Sequence, residues 1–326
     1  MTRPPLRQGP PRGGERPTPV ELLDEARAGR RPALARLLSL VERGGPQGAE
    51  VAAAVHHAGG AAYTIGITGA PGSGKSTLTN AACSVARGRG DRIAVLAIDP
   101  SSPFTGGAIL GDRVRMGEHA LDDGVFIRSM ATRGHLGGLA VATPAAVRVL
   151  DAAGYPWVVI ETVGVGQVEV EIAGAADTVV VVVNPGWGDA VQANKAGLME
   201  IADVFVVNKA DRAGAADTVR DLEQMLGLSA ARPWQPPILQ TVATECRGLE
   251  ELWGAISDHR RHLEQTGELE ARRRRRIEDE LRAIVVAQLT DRARAAADAD
   301  RFDEVVDAVL ERRVDPWTAA SDLSGL

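Results

Sequence analysis

The sequence predicts an α/β fold in which a doubly wound, mostly parallel β-sheet is covered by helices. From Tyr63 onward, short β-branched runs that are apolar on both faces alternate with longer segments of helical periodicity. A glycine-rich phosphate-binding pattern directly follows the first of these runs. The β signal ends at about Asp258, where charged helical sequence begins. Together these observations predict a P-loop NTPase type of domain with helical additions at both ends.

Four parts are predicted along the chain. Residues 1–19 hold six prolines and few apolar side chains, which indicates a disordered leader. Residues 20–60 predict an N-terminal helical extension with a break near residues 44–48. The nucleotide-binding domain is predicted over residues 61–258 and a C-terminal helical arm over residues 259–326. The predicted strands are 64–68, 93–98, 157–161, 178–183, 204–207 and 238–242.

Composition excludes several classes of function. A formal net charge of −6 argues against broad nucleic-acid binding, which depends on neutralising phosphates. No apolar run approaches the roughly 20 residues of a membrane helix, and no secretory signal begins the sequence. Two distant cysteines and scattered histidines predict neither a disulfide framework nor a zinc or nickel site. We therefore expect a cytoplasmic protein with no nucleic-acid or membrane partner.

The strongest motif is Gly-Ala-Pro-Gly-Ser-Gly-Lys-Ser at residues 69–76, which satisfies G-x-x-x-x-G-K-[ST] at every fixed position. Glycines let the backbone wrap closely around phosphate oxygens, and Lys75 is expected to reach the β- and γ-phosphates. Ser76 is expected to offer its hydroxyl to Mg²⁺. The predicted phosphate site comprises Gly69, Ala70, Pro71, Gly72, Ser73, Gly74, Lys75, Ser76 and Thr77.

A second motif, Asn208-Lys209-Ala210-Asp211, follows a predicted strand and selects the base. The Asp211 carboxylate can accept two hydrogen bonds from guanine, whereas adenine would leave it unpaired. We therefore predict guanine nucleotides. The segment Val242, Ala243 and Thr244 is expected to give a backbone amide to the guanine carbonyl.

Magnesium and the attacking water require further oxygen ligands. Asp99 and Glu161 follow predicted strands, and Asp112 lies in a glycine-rich loop. A surface carboxylate or a helix cap remains the alternative for each one taken singly. No general base stands out, and we expect slow hydrolysis that a partner accelerates. Four arginines lie in segments predicted as loops around the site, namely Arg113, Arg115, Arg128 and Arg133.

The chain has only three lysines, Lys75, Lys195 and Lys209, although it has 37 basic residues. The sequence thus uses arginine for nearly all of its basic residues. Lysine should be kept only where a site needs its compact charge. Asp189 and Gln192 have the spacing of a capping box, a purely structural interpretation. Gln192 and Lys195 also share one helical face, which favours a coupling contact with a partner. Both interpretations can hold together.

The predicted arm contains five consecutive arginines, residues 272–276. Apolar residues then recur at helical spacing, namely Ile277, Leu281, Ile284, Val285 and Leu289. Such a stripe must be buried against another surface. That surface is either the chain's own nucleotide-binding domain or a second copy of the chain.

Five segments together resemble the MeaB/ArgK/MMAA family of P-loop GTPases over roughly residues 20–320. The segments are the phosphate loop, residues 99–116, residues 161–167, Pro-Gly-x-Gly-Asp at 185–189 and Asn-Lys-Ala-Asp. The resemblance implies a SIMIBI-like G domain that hydrolyses GTP to GDP. It also implies a homodimer, joined by the C-terminal arm, that assists a cobalamin-dependent acyl-CoA mutase.

The resemblance further implies roles for individual residues. Ser76, Asp99, Asp112 and Glu161 would surround Mg²⁺, and Asp99 would also lie near the attacking water. Asp189, Gln192 and Lys195 would belong to a switch that reports the nucleotide state to the mutase. GTP or GDP is the expected ligand, and no tightly bound organic cofactor is expected. A nickel-type metal-delivery GTPase and a transport-associated kinase are the alternatives.

Overall fold

The computed structural model describes residues 17–99, 119, 121–131, 138–162, 172, 174–186, 192–228, 232–296 and 299–324. Its seven strands are β1 (Tyr63–Thr68), β2 (Ile93–Asp99), β3 (Val125–Ala131), β4 (Trp157–Thr162), β5 (Thr178–Val183), β6 (Val204–Asn208) and β7 (Ile238–Thr241). They form one parallel sheet in the order β3-β2-β4-β1-β5-β6-β7. The predicted doubly wound α/β fold is confirmed.

The described part of the chain also contains eleven helices. Those of the N-terminal half are α1 (Pro19–Arg27), α2 (Arg31–Arg43), α3 (Gly45–His56), α4 (Lys75–Gly88) and α5 (Gly138–Ala152). Those that follow are α6 (Gln192–Ile201), α7 (Ala215–Leu228), α8 (Leu249–Thr266), α9 (Glu268–Ala296), α10 (Ala299–Leu310) and α11 (Pro316–Ser324). A short 3₁₀ helix, Ala243–Glu245, follows β7.

The sheet is apolar on both faces because helices cover both. In β5, Val179, Val181 and Val183 belong to the cluster that includes α1, α2, α3 and α5. Val180 and Val182 point the other way and belong to the cluster that includes α4 and α8. Alternate side chains of a strand face opposite sides, so a run of valines satisfies two cores at once. This arrangement explains the continuous β-branched run.

Strand β3 is absent from the predicted strands, and it lies at the edge of the sheet. Its polar residue Arg128 breaks the apolar pattern. Arg128 donates to Glu42 Oε2 at 2.7 Å and to Ser39 Oγ at 3.0 Å, which ties the strand to α2. The expectation that Arg128 lies in a loop beside the nucleotide is therefore wrong, because a strand and an N-terminal helix hold this side chain in an ion pair.

The N-terminal extension contains three helices rather than two separated by one break. Gly29, at φ +88°, ends the first helix before the break near residues 44–48. The first helix begins at Pro19, inside the segment predicted as leader. Thr18 and Glu21 form a reciprocal capping box there, because Glu21 N donates to Thr18 Oγ1 and Thr18 N donates to Glu21 Oε2. Local capping thus starts helix α1 at the last residue of the predicted leader.

The boundary predicted between residues 258 and 259 falls inside helix α8. Leu252, Trp253, Ile256 and Leu263 of this helix are all buried against the sheet domain. An apolar face that runs along the helix keeps it on the domain, so the predicted boundary divides one continuous helix. Within the described residues, no helix is long and apolar enough to cross a membrane.

Helix α9 is anchored at the amino-terminal edge of the sheet by three of its five consecutive arginines. Arg272 binds Asp203, while Arg273 and Arg276 bind Asp177. Burial alone would raise the pKa of Asp177, but Arg273 and Arg276 hold it below its usual value. The arginine run is therefore an internal anchor, which explains why arginine, with its forked donors, occupies these positions.

Beyond this anchor, the apolar stripe of α9 remains largely exposed in the single chain. Ile277, Leu281, Val285 and Leu289 are each more than half exposed. Phe302, Val306 and Leu310 repeat the same spacing on α10 and are also exposed. Docking on its own domain therefore does not bury this stripe.

Candidate functional site

The phosphate loop connects β1 to α4, and two of its glycines are sterically required. Gly69 has φ +138°, and a Cβ atom there would lie 2.0 Å from the Val182 carbonyl oxygen. Gly74 has φ +94°, and a Cβ atom there would lie 2.3 Å from Asn208 Nδ2. These left-handed conformations bring the loop backbone close to two neighbouring strands. The result is a backbone cradle at the carboxyl edge of the sheet, where ligands of such sheets bind.

Two of the three lysines lie over this loop. Lys75 is 7% exposed and donates to the carbonyl oxygens of Gly69, at 2.6 Å, and Ala70, at 3.1 Å. Lys209, with φ 58°, donates to the Gly72 carbonyl oxygen at 2.7 Å. Both ammonium groups thus concentrate positive charge at the cradle, which suits a polyphosphate.

Ser76 and Glu161 meet beside the start of α4. The Ser76 hydroxyl donates to Glu161 Oε1 at 2.5 Å, and Glu161 is only 1% exposed. Adjacent oxygens around an octahedral Mg²⁺ lie about 2.9 Å apart, given metal–oxygen bonds of about 2.05 Å. A separation change of a few tenths of an ångström would therefore admit the ion. The two oxygens fit a magnesium site, and a buried carboxylate supplies the negative charge that the ion requires.

Asn208 connects the phosphate loop to the loop after β7. Its amide nitrogen donates to the Ser73 carbonyl oxygen at 2.9 Å. Its side-chain oxygen accepts from Thr241 Oγ1 at 3.1 Å and from the Ala243 amide at 3.2 Å. Asn208 is 2% exposed, so these bonds lie in a dry interior and are strengthened by it. A single side chain thereby positions the phosphate loop and the loop predicted to bind the base.

The remaining predicted base contacts surround this asparagine. Asp211 is exposed and follows Lys209 at the same edge of the sheet, while Thr244 is also exposed. Val242 and Ala243 are buried. The Ala243 amide donates to Asn208, so this amide holds the protein loop together. Pro71 and Thr77 complete the predicted phosphate set, and both are exposed near the start of α4.

Several predicted residues fall wholly or partly outside the described structure. Asp99 ends β2, at the same edge as Glu161, but its side chain is not described. Gln192 and Lys195 both lie in α6, and their side chains are likewise not described. Asp112 and Asp189 lie outside the described residues.

Sequence reasoning missed two polar groups. Thr68 and Thr162 form a hydrogen bond beside the phosphate loop. In the sequence, the one indication of their importance is that they adjoin Gly69 and Glu161. A second group forms at the opposite edge of the sheet, where buried His259 lies between Thr178 and Asp203. Burial lowers the pKa of His259 to about 4 despite the opposing effect of Asp203. No local motif surrounds His259 in the sequence.

A parallel sheet with this phosphate cradle, and with an Asn-Lys-x-Asp segment bound to it, defines a P-loop GTPase. The family model described as "Methylmalonyl Co-A mutase-associated GTPase MeaB" matches residues 34–298. The chain belongs to this MeaB family, as its motifs indicated, and GTP hydrolysis is its activity.

Named relatives support this assignment. A Pyrococcus abyssi protein whose name describes it as a GTPase is 50% identical over 304 residues, covering 92% of this chain and 94% of the relative. GTPase ArgK of Escherichia coli is 36% identical over 317 residues, covering 94% and 96%. A solved structure titled as a LAO/AO transport system kinase has a TM-score of 0.68 at 29% identity, covering 94% and 96%.

Proposed function

We propose that this GTPase assists a cobalamin-dependent acyl-CoA mutase, methylmalonyl-CoA mutase or a relative, in cofactor loading, protection or reactivation. The observation that carries the proposal is the match to a mutase-associated family over residues 34–298. That range includes the whole nucleotide domain and all of helix α9. The proposed place of action is the cytoplasm.

The geometry supports a protein that reports its nucleotide state to a partner. Strands β5 and β6 end at the nucleotide edge, where they lead into residues 184–195 and Asn208. At their other ends, Asp177 and Asp203 hold helix α9. A displacement of either strand at the nucleotide edge would therefore be passed directly to α9 and its exposed apolar stripe. Asp189, Gln192 and Lys195 are the proposed contacts that couple this movement to the mutase.

In the proposed reaction, the loop amides and the start of α4 orient the phosphates, and Lys75 neutralises charge on the β- and γ-phosphates. Ser76 and Glu161, with Asp99 and Asp112, would hold Mg²⁺. The bound ion supplies charge neutralisation during phosphoryl transfer. Asp99 would lie near the attacking water, and Asp211 would select guanine through paired hydrogen bonds.

We further propose that the active form is a homodimer joined through the helices of the arm. The exposed stripe on α9 and the exposed residues Phe302, Val306 and Leu310 on α10 provide two apolar surfaces. Two copies related by a twofold axis can bury such surfaces against each other. An arm buried in this way would hold the two nucleotide domains of the dimer in a fixed relative position.

Steady-state GTP hydrolysis tests the proposed function. The rate is measured alone and with each purified cobalamin-dependent acyl-CoA mutase from the same cell, with ATP as the control nucleotide. We expect one mutase to raise the GTP rate by about tenfold or more, as partners of slow GTPases do. Lys195→Ala should keep GTP affinity but lose most of this stimulation. A GTP rate that no mutase changes would contradict the mutase role and leave the GTPase assignment intact.

Two alternatives make different predictions. A nickel-type metal-delivery GTPase should bind Ni²⁺ or Zn²⁺ in equilibrium dialysis. Within the described residues, no cluster of His, Cys, Asp or Glu could hold such an ion. A transport-associated kinase should transfer labelled γ-phosphate to a protein rather than release it as free phosphate. Free labelled phosphate as the sole product excludes that activity.

A further inference from the structure

Thr68 and Thr162 form a hydrogen bond between the two central strands of the sheet. The Thr162 hydroxyl donates to Thr68 Oγ1 at 3.1 Å, and both side chains are buried. Strands β1 and β4 pair through Ile67 and Glu161. The threonine bond therefore lies one row further along, at the carboxyl edge. It joins the strands at the point where both leave the sheet for the nucleotide site.

The residues next to this bond belong to the proposed catalytic site. Thr68 precedes Gly69, the first residue of the phosphate loop, and Thr162 follows Glu161. Thr162 also lies opposite Ile98 of β2, and Asp99 comes directly after Ile98. The row that contains the two threonines thus supports the phosphate loop and two of the proposed magnesium carboxylates.

We propose that Thr68 and Thr162 are positioning residues that set the distance between Ser76 and Glu161. This inference rests on the proposed magnesium site. Gly69, with φ +138°, turns the chain out of the strand direction. The bond between the two threonine side chains therefore joins β1 to β4 where their backbone pairing ends and the loop begins. Because Ser76 ends the phosphate loop that leaves β1 and Glu161 lies on β4, the separation of β1 and β4 controls how their oxygens meet. Outer groups of this kind orient metal ligands in other sites.

The test replaces each hydroxyl by a methyl group of the same shape, in Thr162→Val and Thr68→Val. We expect the Mg²⁺ concentration for half-maximal GTP hydrolysis to rise by about tenfold, with kcat at saturating Mg²⁺ nearly unchanged. We also expect Mg²⁺ to slow the release of a fluorescent GDP from the unmodified protein, and the two variants to need a similarly higher Mg²⁺ concentration for this effect. Thr162→Ser retains the hydroxyl and should restore the normal Mg²⁺ dependence.

Thr178→Val is the matched control, since Thr178 is buried in β5 at the opposite edge and hydrogen-bonds Tyr63 and His259. It should lower the melting temperature without changing the Mg²⁺ dependence. An unchanged Mg²⁺ dependence in folded Thr162→Val and Thr68→Val, with a strong change in Glu161→Gln, would overturn the positioning role alone. If Glu161→Gln also had no effect, the proposed magnesium site itself would be wrong.

Discussion

Arg272 donates two parallel hydrogen bonds to Asp203, at 2.9 Å and 3.0 Å, between helix α9 and the start of strand β6. The Asp203 side chain is 8% exposed and that of Arg272 is 27% exposed. A forked arginine–carboxylate pair of this kind fixes both distance and orientation. The first helix of the arm beyond α8 is therefore held at a defined angle to the nucleotide domain.

Arg272→Ala should destabilise the protein by about 2–3 kcal/mol, because it leaves the Asp203 carboxylate buried without its principal partner. Urea denaturation followed by circular dichroism measures this free energy of unfolding. Arg274→Ala is the matched control, since its side chain is 81% exposed and pairs with Glu278 of the same helix. That variant should lose no more than about 0.5 kcal/mol. Equal losses in the two variants would contradict an anchoring role for Arg272.

The buried His259 predicts a stability that depends on acid pH. Its pKa falls from 6.5 to about 4 on folding, so the unfolded chain takes up a proton in this range before the folded protein does. The folded state should lose about 3 kcal/mol of stability between pH 6.5 and pH 4 from this group. His259→Gln, compared by urea denaturation at several pH values, should show a shallower decline. An unchanged slope in the variant would assign the acid sensitivity to other groups.

Gly74→Ala should weaken GDP binding by more than about tenfold, because its Cβ atom would meet Asn208 Nδ2 at 2.3 Å and displace the phosphate loop. Gly72→Ala is the control. Gly72 also has a positive φ, of +76°, but its added Cβ meets nothing within 4 Å. Calorimetric titration with GDP measures both variants. Similar affinities in the two would show that backbone conformation, and not contact with Asn208, accounts for the loss.

Asp211→Asn should lower GTP affinity by about 100-fold and allow xanthosine triphosphate to bind, because an amide can donate to the added carbonyl of xanthine. Competition binding with the two nucleotides measures this exchange of preference. Thr244→Ala, which removes an exposed side chain but keeps the backbone of the predicted base loop, should leave the preference for guanine unchanged. Unchanged GTP affinity in Asp211→Asn would falsify the assignment of the base pocket.

Leu281→Glu should convert the proposed homodimer into monomers, because it places a charge in the centre of the exposed stripe of α9. Sedimentation velocity at several protein concentrations measures the molar mass. Arg282→Glu is the control, because Arg282 is exposed at the next position of the same helix. This variant should have the same molar mass as the native assembly. A native protein that sediments as a monomer at all concentrations would exclude the dimer.

Much of the site follows from local sequence. The phosphate loop and Asn208-Lys209-Ala210-Asp211 can be recognised in the sequence because each requires particular residues at fixed, short spacing. The continuous valines of β5 likewise indicated a strand buried on both faces. Strand β3 was missed because Arg128 interrupts its apolar pattern, and its contacts with Ser39 and Glu42 of the distant helix α2 account for that arginine.

The sequence by itself determined the class of fold, the phosphate loop and the preference for guanine, since these depend on residues close together in the chain. The tertiary structure decided the function of the arginine run, the burial of His259 and the pairing of Thr68 with Thr162. Arg273 and Asp177 lie 96 positions apart, and Thr68 and Thr162 lie 94 apart. Contacts between such distant residues form only when the sheet aligns its strands, so their identities carry no local pattern that predicts them.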